Sequence, residues 1–203
     1  MRKTANSTIP TLEVLESREV PAVQILASNH LLHIIGDGKA DTIAISDNGR
    51  GTIKVRAGTE SVTLTDIHGI LINGGSGADK VTYDLTGKLM TTEVITAWLG
   101  GGADTATFNL LAGVGKTGHL KLNVHGGAGA DHEWVGVGSI DKGGSAVVGE
   151  YGGRGNDHIS FHAIGHVGGR LAVMVRGGAG KNWDSLVVDA HIVGSGTITI
   201  SGK

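Results

Sequence analysis

The chain has no cysteine, only two prolines and 3% aromatic residues. The first absence removes disulfide frameworks and thiol chemistry without fixing the compartment. Scarce aromatics leave the core to Val, Ile, Leu and Ala. No apolar run approaches the roughly 18–20 residues that a membrane helix needs, so no membrane insertion is expected. The formal charge is −2 with both signs mixed, which gives no reason to expect nucleic acid or an anionic membrane as partner. Arg2 and Lys3 are not followed by an apolar segment, so no standard signal peptide is visible.

What the 203 residues do contain is glycine, 36 of them, roughly two and a half times the usual share of about 7%. A three-residue period is absent, so the glycine is not collagen-like. It gathers instead between short apolar runs, as in a chain with many tight turns. The turns repeat. They read GGSGAD at 74–79, GGGAD at 100–104, GGAGAD at 126–131 and GGRGND at 152–157, with a looser GGAGKNWD at 177–184 and a forerunner GDGKAD at 36–41. Their aspartates are Asp41, Asp79, Asp104, Asp131, Asp157 and Asp184, the last five separated by 25, 27, 26 and 27 positions. By this reading GGGAD is one residue short and GGAGKNWD two residues long. A fixed period of this size signals units that bury their apolar faces only against their neighbours.

Residues 1–22 carry both prolines and no glycine, and read as a flexible or processed leader with a short helix around Leu12–Arg18. Residues 23–203 read as one β-repeat domain, with a cap over 23–68 and repeats over 69–203. In the cap, LLHII (31–35) enters the first turn and TIAIS (42–46) leaves it. DNGRG (47–51) signals a hairpin, and TIKV (52–55) and SVTLT (61–65) complete an antiparallel insertion that lengthens the first aspartate spacing to 38. From Gly69 each repeat has an incoming strand, the glycine–aspartate turn, an outgoing strand (KVTYDL, TATFNL, HEWVGV, HISFHA, SLVVDA) and an irregular return. Val81, Tyr83 and Leu85 alternate with Lys80, Thr82 and Asp84, the pattern of a strand with one buried and one wet face. Leu89, Val114, Ile140, Val167 and Ile192 recur in the returns as candidates for a third, inward-facing side. These features predict an all-β, right-handed parallel β-solenoid of about five coils with an N-terminal hairpin cap. An antiparallel β-sandwich is the alternative.

GGSGADKVT (74–82) and GGRGNDHIS (152–160) fit the nonapeptide GGxGxDxUx and resemble the RTX, or haemolysin-type, calcium-binding repeat. GGAGADHEW (126–134) fits six positions but has Glu133 where an apolar residue belongs. LEVLESREVPA (12–22) is similar to the LExLExRxxPA segment at the N-terminus of planctomycete-type exported, repeat-rich proteins, and LLHIIGDGKADTIAISDNGRGTIKV (31–55) looks like their opening unit. The resemblance implies an extracellular or cell-surface protein with Ca2+ as cofactor. Its metal ligands would fall on Gly74, Ser76, Asp79, Asp104, Gly126, Ala128, Asp131, Gly152, Arg154 and Asp157. The departure is that RTX motifs come nine residues apart on both sides of a coil, whereas here one column of turns carries them.

Aspartates stacked about 5 Å apart repel by roughly 1 kcal/mol in water and about 3 at an effective dielectric near 20, so the column needs compensation. Calcium would supply it. Backbone N–H groups donated to the carboxylates would supply it without metal. His132 and His158 occupy one repeat position and should neighbour on an outer face, with His162 on the same strand and His125 and His166 as further candidates, but no zinc spacing appears. Trp98, Trp134 and Trp183 flank the turns as edge packing or as exposed contacts for sugar or protein. Three functions stay open. One is a non-enzymatic structural or adhesive solenoid, able to self-associate end to end. Another is a module binding a cell-surface polysaccharide or protein. The last is a short polysaccharide-degrading enzyme, for which only scattered acids (Glu93, Glu133, Asp141, Glu150) are available and no catalytic residue is assigned.

Overall fold

The structure is a computed structural model and describes residues 23–202. The expected leader over 1–22, with its short helix, lies outside the described residues. Among those described there is no helix.

The first part of the chain is β1 (Gln24–Ser28), β2 (Leu31–Ile35), β3 (Thr42–Asp47), β4 (Ile53–Ala57) and β5 (Glu60–Leu64). Repeating pairs follow: β6 (Gly69–Asn73) with β7 (Lys80–Leu85), β8 (Thr92–Gly101) with β9 (Thr105–Leu110), β10 (His119–Ala128) with β11 (His132–Val137), β12 (Ser145–Arg154) with β13 (His158–Val167), and β14 (Arg170–Ala179) with β15 (Trp183–Ile192). The last strand is β16 (Thr197–Gly202). One sheet has the order β1-β2-β6-β8-β10-β12-β14-β16, and the other runs β15-β13-β11-β9-β7-β3-β4-β5. Pairing is parallel from coil to coil, and antiparallel only for β1/β2, β3/β4 and β4/β5. The fold is therefore a β-solenoid of about five stacked coils. The insertion expected between the first two aspartates is β4 and β5, which cover the N-terminal edge of the second sheet.

Alternation dictates which side chains enter the core. On β7 Val81, Tyr83 and Leu85 are buried while Lys80 faces solvent, and on β13 Ile159, Phe161 and Ala163 are buried. Register stacks them into columns, such as Ile45–Tyr83–Phe108–Val135–Phe161–Leu186 through the second sheet. The third side is present as parallel bridges Leu89–Val114–Ile140–Val167, all four buried. Ile192 falls in register with Val167 but is exposed. The reason is its place in the last described coil: among the described residues no further coil covers that face, so Leu186 and Ile200, at inward positions of the columns, are also exposed.

Candidate functional site: the glycine–aspartate column

In four of the copies the first half of the motif is strand rather than turn. β8, β10, β12 and β14 run through the glycine pair, with Gly127 in register with Gly100 and with Gly153. Register also redefines the two irregular copies. Gly126 sits one residue before the Gly127–Gly100 pair, so its counterpart in the neighbouring coil is Leu99, and that copy is a full-length LGGGAD with a buried leucine in place of glycine. In the last copy Ile159 is in register with Asp184, which places Asn182, not Asp184, in the aspartate column. Every copy thus has six residues, and the apparent deletion and insertion were substitutions.

The aspartates turn inward, where Asp79, Asp104, Asp131 and Asp157 are almost completely buried. In the copies that keep the first glycine, that residue leaves room for the carboxylate: a Cβ at Gly152 would lie 2.5 Å from Asp157 Oδ2. Each carboxylate then accepts a hydrogen bond through Oδ1 from the backbone N–H of the aspartate one coil earlier. Asp41 donates to Asp79 (2.8 Å), Asp79 to Asp104 (2.7 Å), Asp104 to Asp131 (2.9 Å) and Asp131 to Asp157 (3.1 Å). Asp157 donates to Asn182 Oδ1 (2.9 Å), so the ladder closes on an amide. One main-chain donor per carboxylate is the metal-free compensation for charge repulsion, supplied across coils rather than within one turn. Burial nevertheless dominates, raising Asp79 and Asp131 to about 6 and Asp104 in the same direction.

The turn carbonyls are occupied as well. At the third motif position the carbonyls of Gly101, Ala128, Arg154 and Ala179 accept the N–H of Gly77, Gly102, Gly129 and Gly155 at 2.7–2.9 Å. Ser76 is bridged to Gly101 and donates its N–H to the Asp37 carbonyl (3.1 Å). What stays unpartnered is one buried Oδ2 on each of Asp79, Asp104, Asp131 and Asp157. Calcium takes 6–8 oxygens. One free carboxylate oxygen per coil, with each third-position carbonyl already accepting a hydrogen bond, falls well short of that set.

Three acids that read as scattered in the sequence are inside the solenoid. Glu93, Glu133 and Glu150 are 0%, 2% and 0% exposed and have no hydrogen-bond partner on either oxygen. Glu133 interrupts the column Val81–Ala106–Glu133–Ile159, and Glu150 interrupts Ile72–Ala97–Val124–Glu150–Val175. Burial pushes Glu93 up to about 9, with the Asp47 charge adding to it, and Glu133 up to about 8, with Asp131 and Asp157 adding. Glu150 is raised strongly by burial and then by Glu133. Asp47, by contrast, is satisfied: the Tyr83 hydroxyl donates to Oδ2 (2.5 Å) and the Gly49 N–H to Oδ1 (2.7 Å). Asp141 lies at the surface, 3.0 Å from Lys88 Nζ.

The outer faces carry the histidines and tryptophans. His132 and His158 are neighbours as expected, ring centroids 5.5 Å apart, both exposed. His125 lies on the other sheet, stacked between Trp98 (5.9 Å) and Tyr151 (4.7 Å), and His166 is at the end of β13 against Ser139 and Asp141, so neither joins the pair. Trp183 is 62% exposed in the last coil. Trp134 lies along its own strand over Gly136, where a Cβ would come within 2.3 Å of the indole.

No protein-family model, no curated protein and no solved structure matches the chain. Its class is therefore defined by its own geometry: a parallel β-solenoid with an internal aspartate ladder.

Proposed function

We propose that the protein is a non-enzymatic structural or adhesive solenoid that works at the cell exterior, its coils locked by the aspartate ladder. The observation that carries this reading is the position of the acids. Polysaccharide-cleaving enzymes need two carboxylates flanking an accessible bond. Here the carboxylates of Glu93, Glu133 and Glu150 and of the aspartate column are sealed in the interior, and the walls that face solvent are sheets. The exterior location rests on the resemblance of LEVLESREVPA (12–22) to exported repeat proteins.

One observation favours a second reading, a sugar-binding module: Trp134 lies over Gly136 on the outside of β11 and is only half-buried, which leaves aromatic surface for contact with a pyranose ring. A glycan array together with turnover assays on acidic polysaccharides separates the readings. The structural role predicts neither specific binding nor turnover. Binding that disappears in Trp134→Ala would establish the module, and turnover would overturn the non-enzymatic reading altogether.

The uncovered last coil supports end-to-end association of two copies. Among the described residues β15 and β16 each keep a free strand edge, beside the exposed Leu186, Val187, Ile200 and Trp183. Sedimentation velocity over a rising concentration series should show a dimer, whose weight fraction Leu186→Lys lowers. A monomer at every concentration would remove this part of the proposal.

A further inference from the structure

We propose a surface transition-metal site of the zinc class, formed by His30, Asp66 and His68 at the N-terminal end of the solenoid and independent of the aspartate column. His30 is in the tight turn between β1 and β2, and Asp66 and His68 belong to the link between β5 and β6. His30 Nδ1 is 2.9 Å from one carboxylate oxygen of Asp66, and His68 Nε2 is 3.2 Å from the other. The three ligand atoms lie within 4.8 Å of one another, the one such group among the described residues. Zinc–nitrogen and zinc–oxygen bonds of about 2.0–2.1 Å in a tetrahedron set ligand atoms about 3.3 Å apart. The two histidine–carboxylate separations are therefore already close to the spacing that one ion imposes, and the whole group needs only side-chain adjustment to close on it. Two imidazoles and one carboxylate are a donor set suited to zinc rather than to calcium or magnesium, and their exposure leaves the fourth position to water.

The backbone supplies an independent reason. Among the described residues, seventeen glycines have φ in the left-handed region, and only three other residues do: Asn29 (49°), His30 (65°) and Asp66 (62°). The turn at Asn29–His30 has positive φ at both central residues, a geometry in which the second position is ordinarily glycine. Where a chain this rich in glycine instead places His and Asp in strained backbone, the side chains have a use that glycine would forfeit. Both strained ligands converge on His68, whose main-chain N–H donates to the His30 carbonyl (2.9 Å) and fixes the two segments together. His68 Nδ1 is buried without a partner, so Nε2 is the nitrogen presented at the surface. An ion here would staple the β1–β2 hairpin to the link that follows the second antiparallel extension, closing the cap over the first coil.

The test is isothermal titration of zinc chloride into the untagged full chain, first stripped with chelator and dialysed near neutral pH. One equivalent should bind, zinc should raise the melting temperature, and both effects should be lost in His30→Gln and in His68→Gln. The double variant His132→Gln/His158→Gln should bind as the parent does. Cobalt(II) added to the parent should give the intense visible bands of a four-coordinate ion, a readout that does not depend on any variant folding. Failure of the parent to bind zinc, retention of the full equivalent in His30→Gln and His68→Gln, or loss of it in the His132/His158 variant would overturn the proposal.

Discussion

Raising the pH from about 5 to about 9 is expected to lower the melting temperature by tens of degrees, since each kcal/mol lost shifts it by about 2–4 °C in a chain of this size. The cause is the three interior glutamates. Glu93 and Glu133 hold their protons until about 9 and about 8, and Glu150 is raised strongly too, all through burial first. In the unfolded chain these groups ionise near 4.5, the ordinary value. Between the unfolded and folded values the native state binds more protons than the unfolded one, so stability falls as pH rises. Each group contributes about 1.4 kcal/mol per pH unit while that difference persists. Asp79 and Asp131, raised to about 6, act in the same direction over a narrower window. His125, lowered by burial, acts oppositely, removing stability as the pH drops below its ordinary value of 6.5. Replacing Glu93, Glu133 and Glu150 by Gln should flatten the profile and raise the melting temperature at the alkaline end. Differential scanning calorimetry across the range checks this. A melting temperature that stays level or climbs toward pH 9 would mean that these carboxyls are not sealed in the core.

Gly129→Ala is expected to abolish folding, while Gly101→Ala in the neighbouring turn should be nearly silent. Gly129 has φ +146°, and a Cβ there would sit 1.4 Å from the carbonyl oxygen of Gly102 in the coil before it. Relief requires the coils to separate, breaking the Gly102–Ala128 and Gly129–Arg154 hydrogen bonds on either side, a cost above about 4 kcal/mol. At Gly101 a Cβ would meet nothing within 4 Å, and its repeat equivalent Ala128 already carries one. The change there should stay within about 0.5 kcal/mol. Circular dichroism and soluble yield of the two variants separate them. Equal behaviour would contradict the stacking of these turns.

The outgoing strands were legible because each carries its own alternation, as in KVTYDL and TATFNL, and a strand buried on one face shows it locally. The third side was legible from a single apolar residue per return, since Leu89, Val114, Ile140 and Val167 recur at the coil period. Matching the motif by letters misplaced Asp184 and shortened the copy at Gly100. Only coil-to-coil register reveals that Asn182 and Leu99 hold those places. The interior glutamates did leave a signal, because Glu133 falls on an apolar position of its motif and Glu150 continues the alternation of Ala146 and Val148. Nothing local links His30 to Asp66 and His68. They meet through left-handed turns and a hairpin insertion, which no periodicity encodes.

Calcium-dependent melting of the parent and of Asp131→Asn tests most directly whether the aspartate column is a hydrogen-bonded ladder. An amide at position 131 keeps an Oδ1 acceptor for the Asp104 N–H, as Asn182 already does for Asp157. It removes the negative charge that a cation would need. The ladder predicts that millimolar calcium and chelator leave the parent's melting temperature unchanged and that Asp131→Asn melts at least as high. A parent stabilised by calcium, with that gain lost in Asp131→Asn, would contradict it and restore the column as a metal site.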